Sequence, residues 1–275
     1  MPAASAQVPE AGASLRHTGV GTGQAGWRIA MLVVVAVVAT VAMLLQDPIP
    51  QPPSFHQFAD VRTLLGVPNF WNVASNLVFL AAGAYGLAAY ARCRPLLDPA
   101  LRPAYLTAFI GAALICLGSG WYHLAPDTPR LTWDRLPISL AFIGVFAVVV
   151  GEFLKPAWGR RLLAPLLAAG VLSVAYWHYT EEIGRGDLRY YALVQVLPLL
   201  LVPLILILFR PAAMLNPLPA LYLWGVIAIY GAAKGFELLD AELLQLTGLS
   251  GHTWKHLAAG AGVWLFVLAM RKKCR

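Results

Sequence analysis

Two histidines four residues apart open the last apolar segment of the chain, in the run Ser250-Gly251-His252-Thr253-Trp254-Lys255-His256. On a helix that spacing puts both imidazoles on one face, about 6 Å apart along the axis at a rise of ~1.5 Å per residue, which suits two ligands of one metal ion. A third histidine, His123, closes another apolar segment in Gly118-Ser119-Gly120-Trp121-Tyr122-His123, and Asp134 follows across a short polar stretch. Imidazole suits zinc, and three protein ligands leave the fourth position for water, so the pattern points to metal-assisted hydrolysis within a membrane. Ser119 precedes His123 by four residues and shares its helical face. Its hydroxyl could donate to a developing oxyanion, or it could be a small residue for close packing, like Gly118 and Gly120 beside it. Asp134 could accept a proton from the water, orient a histidine, or cap a helix that begins Arg135-Leu136-Pro137.

The elements that must position these residues are membrane helices. Of 275 residues, 59% are hydrophobic and only 12% charged, a balance foreign to soluble domains of this size. The net charge of +7 does not imply nucleic acid as a partner, because the basic residues are scattered between apolar runs. Cys116 lies in an apolar run, and Cys93 and Cys274 fall in segments placed in the cytoplasm, so no disulfide framework is expected. Arginine (15) outnumbers lysine (5) in an Ala- and Leu-rich chain, a composition that suggests a bacterial source.

In chain order, residues 1–26 read as a disordered cytoplasmic tail and 27–46 as an uncleaved anchor helix, too long for a signal-peptide core. Residues 47–69 form an outer connector, opened by Asp47-Pro48-Ile49-Pro50-Gln51-Pro52-Pro53, whose prolines exclude a helix or sheet interior. Residues 70–270 hold seven apolar segments, at about 70–90, 104–124, 135–154, 162–178, 190–209, 219–239 and 252–270. The fold expected is an all-α polytopic membrane bundle, a seven-helix core plus one N-terminal anchor, about eight spans in all. Prolines such as Pro165, Pro198 and Pro203 are compatible with it, since membrane helices tolerate them. Residues 271–275 read as a basic cytoplasmic tail.

Orientation follows from Lys and Arg. With both termini in the cytoplasm, the inner segments hold thirteen basic residues and the outer ones only five, Arg62, Arg130, Arg135, Arg185 and Arg189. That topology brings His123, Asp134, His252 and His256 to one outer depth. Polar residues on other segments have simpler readings: Asn69, Asn72 and Asn76, with Ser75 beside them, as interhelical glue; Lys234 and Glu237 as an ion pair; His178, Glu181 and Glu182 as an outer rim; His17 and His56 as tail and loop.

The runs Phe70-Trp71-Asn72-Val73-Ala74-Ser75-Asn76, Gly118-Ser119-Gly120-Trp121-Tyr122-His123, Asp134-Arg135-Leu136-Pro137 and His252-Thr253-Trp254-Lys255-His256, in this order, resemble those of the alkaline ceramidase family. That family lies within a wider superfamily that includes the adiponectin-receptor-like membrane proteins, and the resemblance extends from about Phe55 to Met270. It implies zinc on His123, His252 and His256, with Ser119 and Asp134 in the family's catalytic serine and aspartate positions. It also implies hydrolysis of the amide bond of ceramide, or of a related long-chain lipid amide, to a sphingoid base or amine and a fatty acid. The sequence departs from the family in its additional N-terminal span. It also carries Asn69 where animal members have an acidic calcium ligand, so calcium regulation is not expected. The expected setting is a bacterial inner membrane with the site toward the outer face and a lipid as substrate. Rival readings are a zinc-containing receptor or sensor, a haem protein with His123 and His252 or His256 as axial ligands, and a transporter built on Lys234 and Glu237.

Overall fold

The computed structural model describes residues 22–209 and 218–275. Most of the expected N-terminal tail, with Arg16 and His17, lies outside the described residues, as does Arg210. The described chain is all-α apart from a lone bridge between Leu64 and Val67. Helix α1 (Thr22–Leu44) starts inside the stretch read as tail. The bundle proper is α2 (Phe70–Ala74), α3 (Leu77–Cys93), α4 (Arg102–Leu124), α5 (Thr128–Phe153), α6 (Pro156–Glu182), α7 (Arg189–Leu208), α8 (Ala220–Leu238), α9 (Asp240–Thr247) and α10 (Gly251–Lys273). With α2 and α3 as one broken span and α9 a short surface turn of helix, this is the seven-helix core plus anchor. Six spans among the described residues are long and apolar enough to cross a membrane. Helices α8 and α10 fall short in hydropathy because they carry Lys234, Glu237, His252, Lys255 and His256, yet they pack along one another, and α10 packs on α3.

The helix ends follow from local chemistry. Asp127 caps α5, its carboxylate accepting from the Arg130 amide at 2.7 Å, with Pro129 in the first turn where its missing amide costs nothing. Helix α5 therefore begins six residues before Asp134, which lies inside the helix; the capping role that its sequence allowed belongs to Asp127. Ser250 caps α10 by accepting from the Thr253 amide at 3.1 Å. Pro137, Pro165, Pro198 and Pro203 all sit within helices.

Small residues set how closely the helices approach. A methyl group on Gly111 would strike the Ala141 backbone, one on Gly144 the Ala108 backbone, and one on Gly118 the Trp133 carbonyl oxygen. These three make α4 and α5 the tightest seam of the bundle. Gly120, by contrast, faces open space.

The connector 47–69 is a strap packed across the end of the bundle where α4 finishes and α10 begins. Gln51 and Asp60 on it are buried. The Gln51 amide donates to Glu181 at 2.6 Å, and the Ala59 amide donates to Asp240 at 2.9 Å. Glu181, which also accepts from the Trp177 indole at 3.0 Å, is thus a tie for the strap, while His178 and Glu182 keep to the rim, paired at 3.2 Å.

At the opposite end, Lys273 donates to both oxygens of Glu152, at 2.9 and 2.7 Å, and the Tyr105 hydroxyl donates to the same carboxylate at 2.9 Å. The side chains of Lys273 and Glu152 are 5% and 1% exposed, so α10 runs into what composition marked as a basic tail. Removing one partner of a buried pair strands the other charge, which costs about 3–5 kcal/mol. Glu152→Gln should therefore lower the thermal unfolding midpoint of the detergent-solubilised protein sharply. Tyr105→Phe, which removes one hydrogen bond, should cost only about 1–2 kcal/mol in the same measurement.

Candidate metal centre

Helix α4 delivers His123 in its last turn, and α10 delivers His252 and His256 in its first two, so a C-terminal helix end meets an N-terminal one. The three rings form a nearly equilateral triangle, with centroids 4.7 Å apart for His123–His252, 5.0 Å for His123–His256 and 4.7 Å for His252–His256. They are 1%, 6% and 4% exposed. One nitrogen of each ring lies within 4.8 Å of the others, so the cluster could hold a metal ion. The Nε2 atoms of His123 and His252 are 3.2 Å apart. Two ligands at 2.0–2.1 Å from one tetrahedral zinc would be about 3.3 Å apart, so the donor atoms already have nearly the separation that such an ion needs.

Supporting residues hold the rings in place. The Ser75 hydroxyl meets His256 Nδ1 at 2.8 Å, which directs the other ring nitrogen toward the centre. Ser75 can do this because the first span breaks between α2 and α3, where its backbone belongs to neither helix. Asn72 is wholly buried: its side-chain oxygen accepts from the Ser250 and Thr253 hydroxyls at 3.2 Å each, and its amide donates to the Asp60 carbonyl at 3.1 Å. Asn69 sits outside the helix in a left-handed conformation (φ 48°) and donates to the His123 carbonyl at 2.9 Å. The asparagines thus do bind segments together, though Asn69 and Asn72 do so around the centre itself. Asp240 accepts from the His252 amide at 2.7 Å and so ties the start of α10 to the strap. Phe58, from the strap, lies edge-on over His123 and His252, its centroid 4.7 and 4.5 Å from theirs. His123 Nδ1 is buried without a hydrogen-bond partner.

Ser119 is 3% exposed, and its side chain interacts with the half-buried Asp134 carboxylate. The Gly118–Trp133 contact of the α4–α5 seam is what lets these two side chains meet. Lys255, between the two α10 histidines, donates to Glu237 at 2.5 Å, and Lys234 donates to the same carboxylate at 2.6 Å, so the expected Lys234–Glu237 pair is present with a third member. Lys255 interacts electrostatically with Asp134 and with all three imidazoles. Arg135, counted from sequence among the outer basic residues, is only 5% exposed. Its guanidinium stacks over Trp177 (3.9 Å) and Tyr191 (4.7 Å) and donates to Gln51 at 2.5 Å. Delocalised charge and a planar shape make arginine suited to such a cage.

Sequence reasoning assembled the three histidines with Ser119 and Asp134, and the structure brings His123, His252 and His256 together and pairs Ser119 with Asp134. It missed Phe58 and Asp240, and it read Ser75 as interhelical glue without identifying His256 as the partner that its hydroxyl holds. Only the local spacing of Ser75 to Asn72 hinted at a shared face; their partners lie on α10, 181 positions from Ser75 in the case of His256. Searched against models of known protein families the chain matches none, and a search of curated proteins likewise returns no match.

His56 is not a free loop residue: its ring bridges the Tyr122 hydroxyl at 3.0 Å and the Thr128 hydroxyl at 3.1 Å, pinning the strap. Burial lowers its pKa, and Arg135 adds to this, against opposing fields from Asp127 and Glu181. The Asp60 carboxyl is held low chiefly by its hydrogen bond from Arg62. As pH falls below about 6.5, a released strap takes a proton on His56 while the packed strap resists it, so packing weakens from there downward. Asp60 acts in a lower window: its contribution, complete above about 3.9, is lost as pH falls through its depressed folded value. Amide exchange in residues 54–62, corrected for intrinsic rates, should rise between about pH 7.5 and about pH 5.5, and His56→Gln should flatten that rise. Ser75→Ala should weaken metal binding about 10–100-fold in a chelator competition, because His256 loses the partner that orients it.

Proposed function

We propose that this chain is an intramembrane zinc-dependent amidohydrolase that cleaves ceramide or a related long-chain lipid amide into an amine and a fatty acid. The observation that carries the reading is the buried triangle of imidazoles with a Ser119–Asp134 pair on the adjoining face of α4 and α5. The ordered motifs that resemble alkaline ceramidases support the same substrate class. His123, His252 and His256 would hold the metal, and three neutral imidazoles with a fourth position open suit zinc. Zinc bound there would supply a Lewis acid for the amide carbonyl and an acidified water.

The chain's own residues supply the rest. Asp134 accepts the proton of the attacking water and returns it to the leaving amine. Ser119 then donates to the oxygen that gains negative charge at the carbonyl. Lys255, fixed by Glu237, adds a positive field toward the same region. Phe58 and the strap keep bulk water from the outer side. The setting that fits the distribution of basic residues is a bacterial inner membrane, with both termini in the cytoplasm and the centre near the outer face.

A haem reading fits poorly, since a porphyrin between two axial imidazoles would separate rings that here touch one another. A zinc-containing receptor is the second reading, favoured by the coverage that Phe58 gives the imidazoles. Metal analysis of purified wild type and His252→Ala, paired with fatty-acid release from ceramides and simple N-acyl amines, separates the two. The hydrolase reading expects about one zinc per chain and release, both lost in the variant. Full release without zinc would sink it, and zinc without release from any amide would establish the receptor reading. With zinc retained, Ser119→Ala should cost about 10²–10³ in kcat and Asp134→Asn about 10²–10⁴.

A further inference from the structure

Far from the metal centre, α1 leans on the bundle rather than joining it. It packs mainly on α7, Leu32 is its one buried residue among those described, and Arg189 at the start of α7 holds its far end through the Leu44 and Gln46 carbonyls at 3.1 and 2.5 Å. Between α1 and the faces of α5, α6 and α7 lies an apolar groove of about 870 Å³, which Ala36, Phe146, Leu166 and Leu197 line along its length. No side chain fills it. Apolar walls without atoms against them forfeit their dispersion contacts, so in a bilayer a hydrocarbon chain is the natural filler.

The inner end of the groove is bounded by Leu154 and Trp158, on either side of the turn from α5 to α6. On that same turn Lys155, Arg160 and Arg161 line a second recess with Ala100, Pro156 and Ala157. All three cations are exposed, and none has an acidic partner or a hydrogen bond of its side chain among the described residues. Other exposed cations at that end, Arg92 and Arg94 among them, also lack an acidic partner among the described residues, but they lie at the end of α3, which lines no part of the groove. An apolar channel of membrane depth that ends within one helical turn of three unpaired cations has the charge and shape of one amphiphile.

We infer that the groove under α1 is a binding site for an anionic phospholipid, with the phosphate on Lys155, Arg160 and Arg161 and an acyl chain between α1 and α5–α7. Three cations beside an anionic headgroup should favour an anionic over a zwitterionic lipid by about tenfold or more. The helix that composition marks as an addition to the core would then be joined to it partly through lipid.

The test uses the full chain in phosphatidylcholine nanodiscs, with spin-labelled phosphatidylglycerol or phosphatidylcholine as probe and the immobilised fraction as readout. Wild type should immobilise phosphatidylglycerol about tenfold more strongly. Lys155→Gln, Arg160→Gln and Arg161→Gln combined should abolish that preference, while Arg92→Gln with Arg94→Gln, exposed cations at the end of α3, should leave it. Ala36→Trp, which fills the groove without altering charge, should reduce immobilisation of both probes. Equal binding of the two lipids by wild type, persistence of the preference in the triple variant, or its equal loss in the Arg92/Arg94 control would overturn the site. Unchanged immobilisation in a folded Ala36→Trp protein would overturn the groove as the seat of the chain. None of these readouts depends on zinc or on turnover.

Discussion

A polar atom buried in an apolar bundle must find its partner inside the protein, and that constraint organises both ends of this molecule. At one end three imidazoles converge with their nitrogens facing inward. A mutual hydrogen bond satisfies His123 and His252 only in part, and the remaining valence has the number and spacing of a metal's ligands. At the other end the same constraint is met by ionic pairing: Lys273, Glu152 and Tyr105 satisfy one another. The contrast is chemical. A cation and a carboxylate neutralise each other, whereas three neutral bases of one kind need an external acceptor of their lone pairs.

The middle of the bundle holds these two polar ends at a fixed distance by the opposite device, close contact without polar groups. Gly111, Gly118 and Gly144 let α4 and α5 touch backbone to backbone, so the pitch of one helix is locked to that of the other. Gly118 adjoins Ser119, and Trp133 adjoins Asp134, so the geometry of the hydroxyl–carboxylate pair is inherited from a packing contact one residue away. The strap repeats the principle from outside. Gln51, His56, Ala59 and Asp60 each bond to a different part of the bundle, and together they fix where Phe58 lies.

The spans and the three histidines were legible because their signals are local: long apolar runs, and a four-residue repeat that survives any tertiary arrangement. Asp134 was placed correctly in depth but misjudged in setting, because the cap at Asp127, with Pro129 just inside the helix, was read as loop. Ser75, Phe58 and Asp240 were opaque for another reason. Each acts across the fold on a residue with no sequence relation to it, and a hydroxyl, a ring and a carboxylate in a connector carry no mark of their targets. The enclosure of Arg135 was hidden because counting basic residues by segment cannot distinguish a solvated guanidinium from one enclosed by Trp177 and Tyr191. The same limit hid the Glu152–Lys273 pair, whose members stand 121 positions apart.

Hydropathy itself carries information about the centre. Of the seven core spans, the two that fall below the apolar threshold, α8 and α10, are those that hold the Lys234–Glu237–Lys255 cluster and two of the three imidazoles. A charge facing lipid would be expelled, so polar residues can accumulate on a span only where neighbours receive them, and a hydropathy deficit marks a face turned toward the interior. Helix α8 illustrates the consequence. It is bound firmly to α10 by those polar contacts, but among the described residues it meets α7 only along a short stretch. The α7–α8 seam is therefore much looser than the α8–α10 seam, as the placing of the polar residues on α8 and α10 requires.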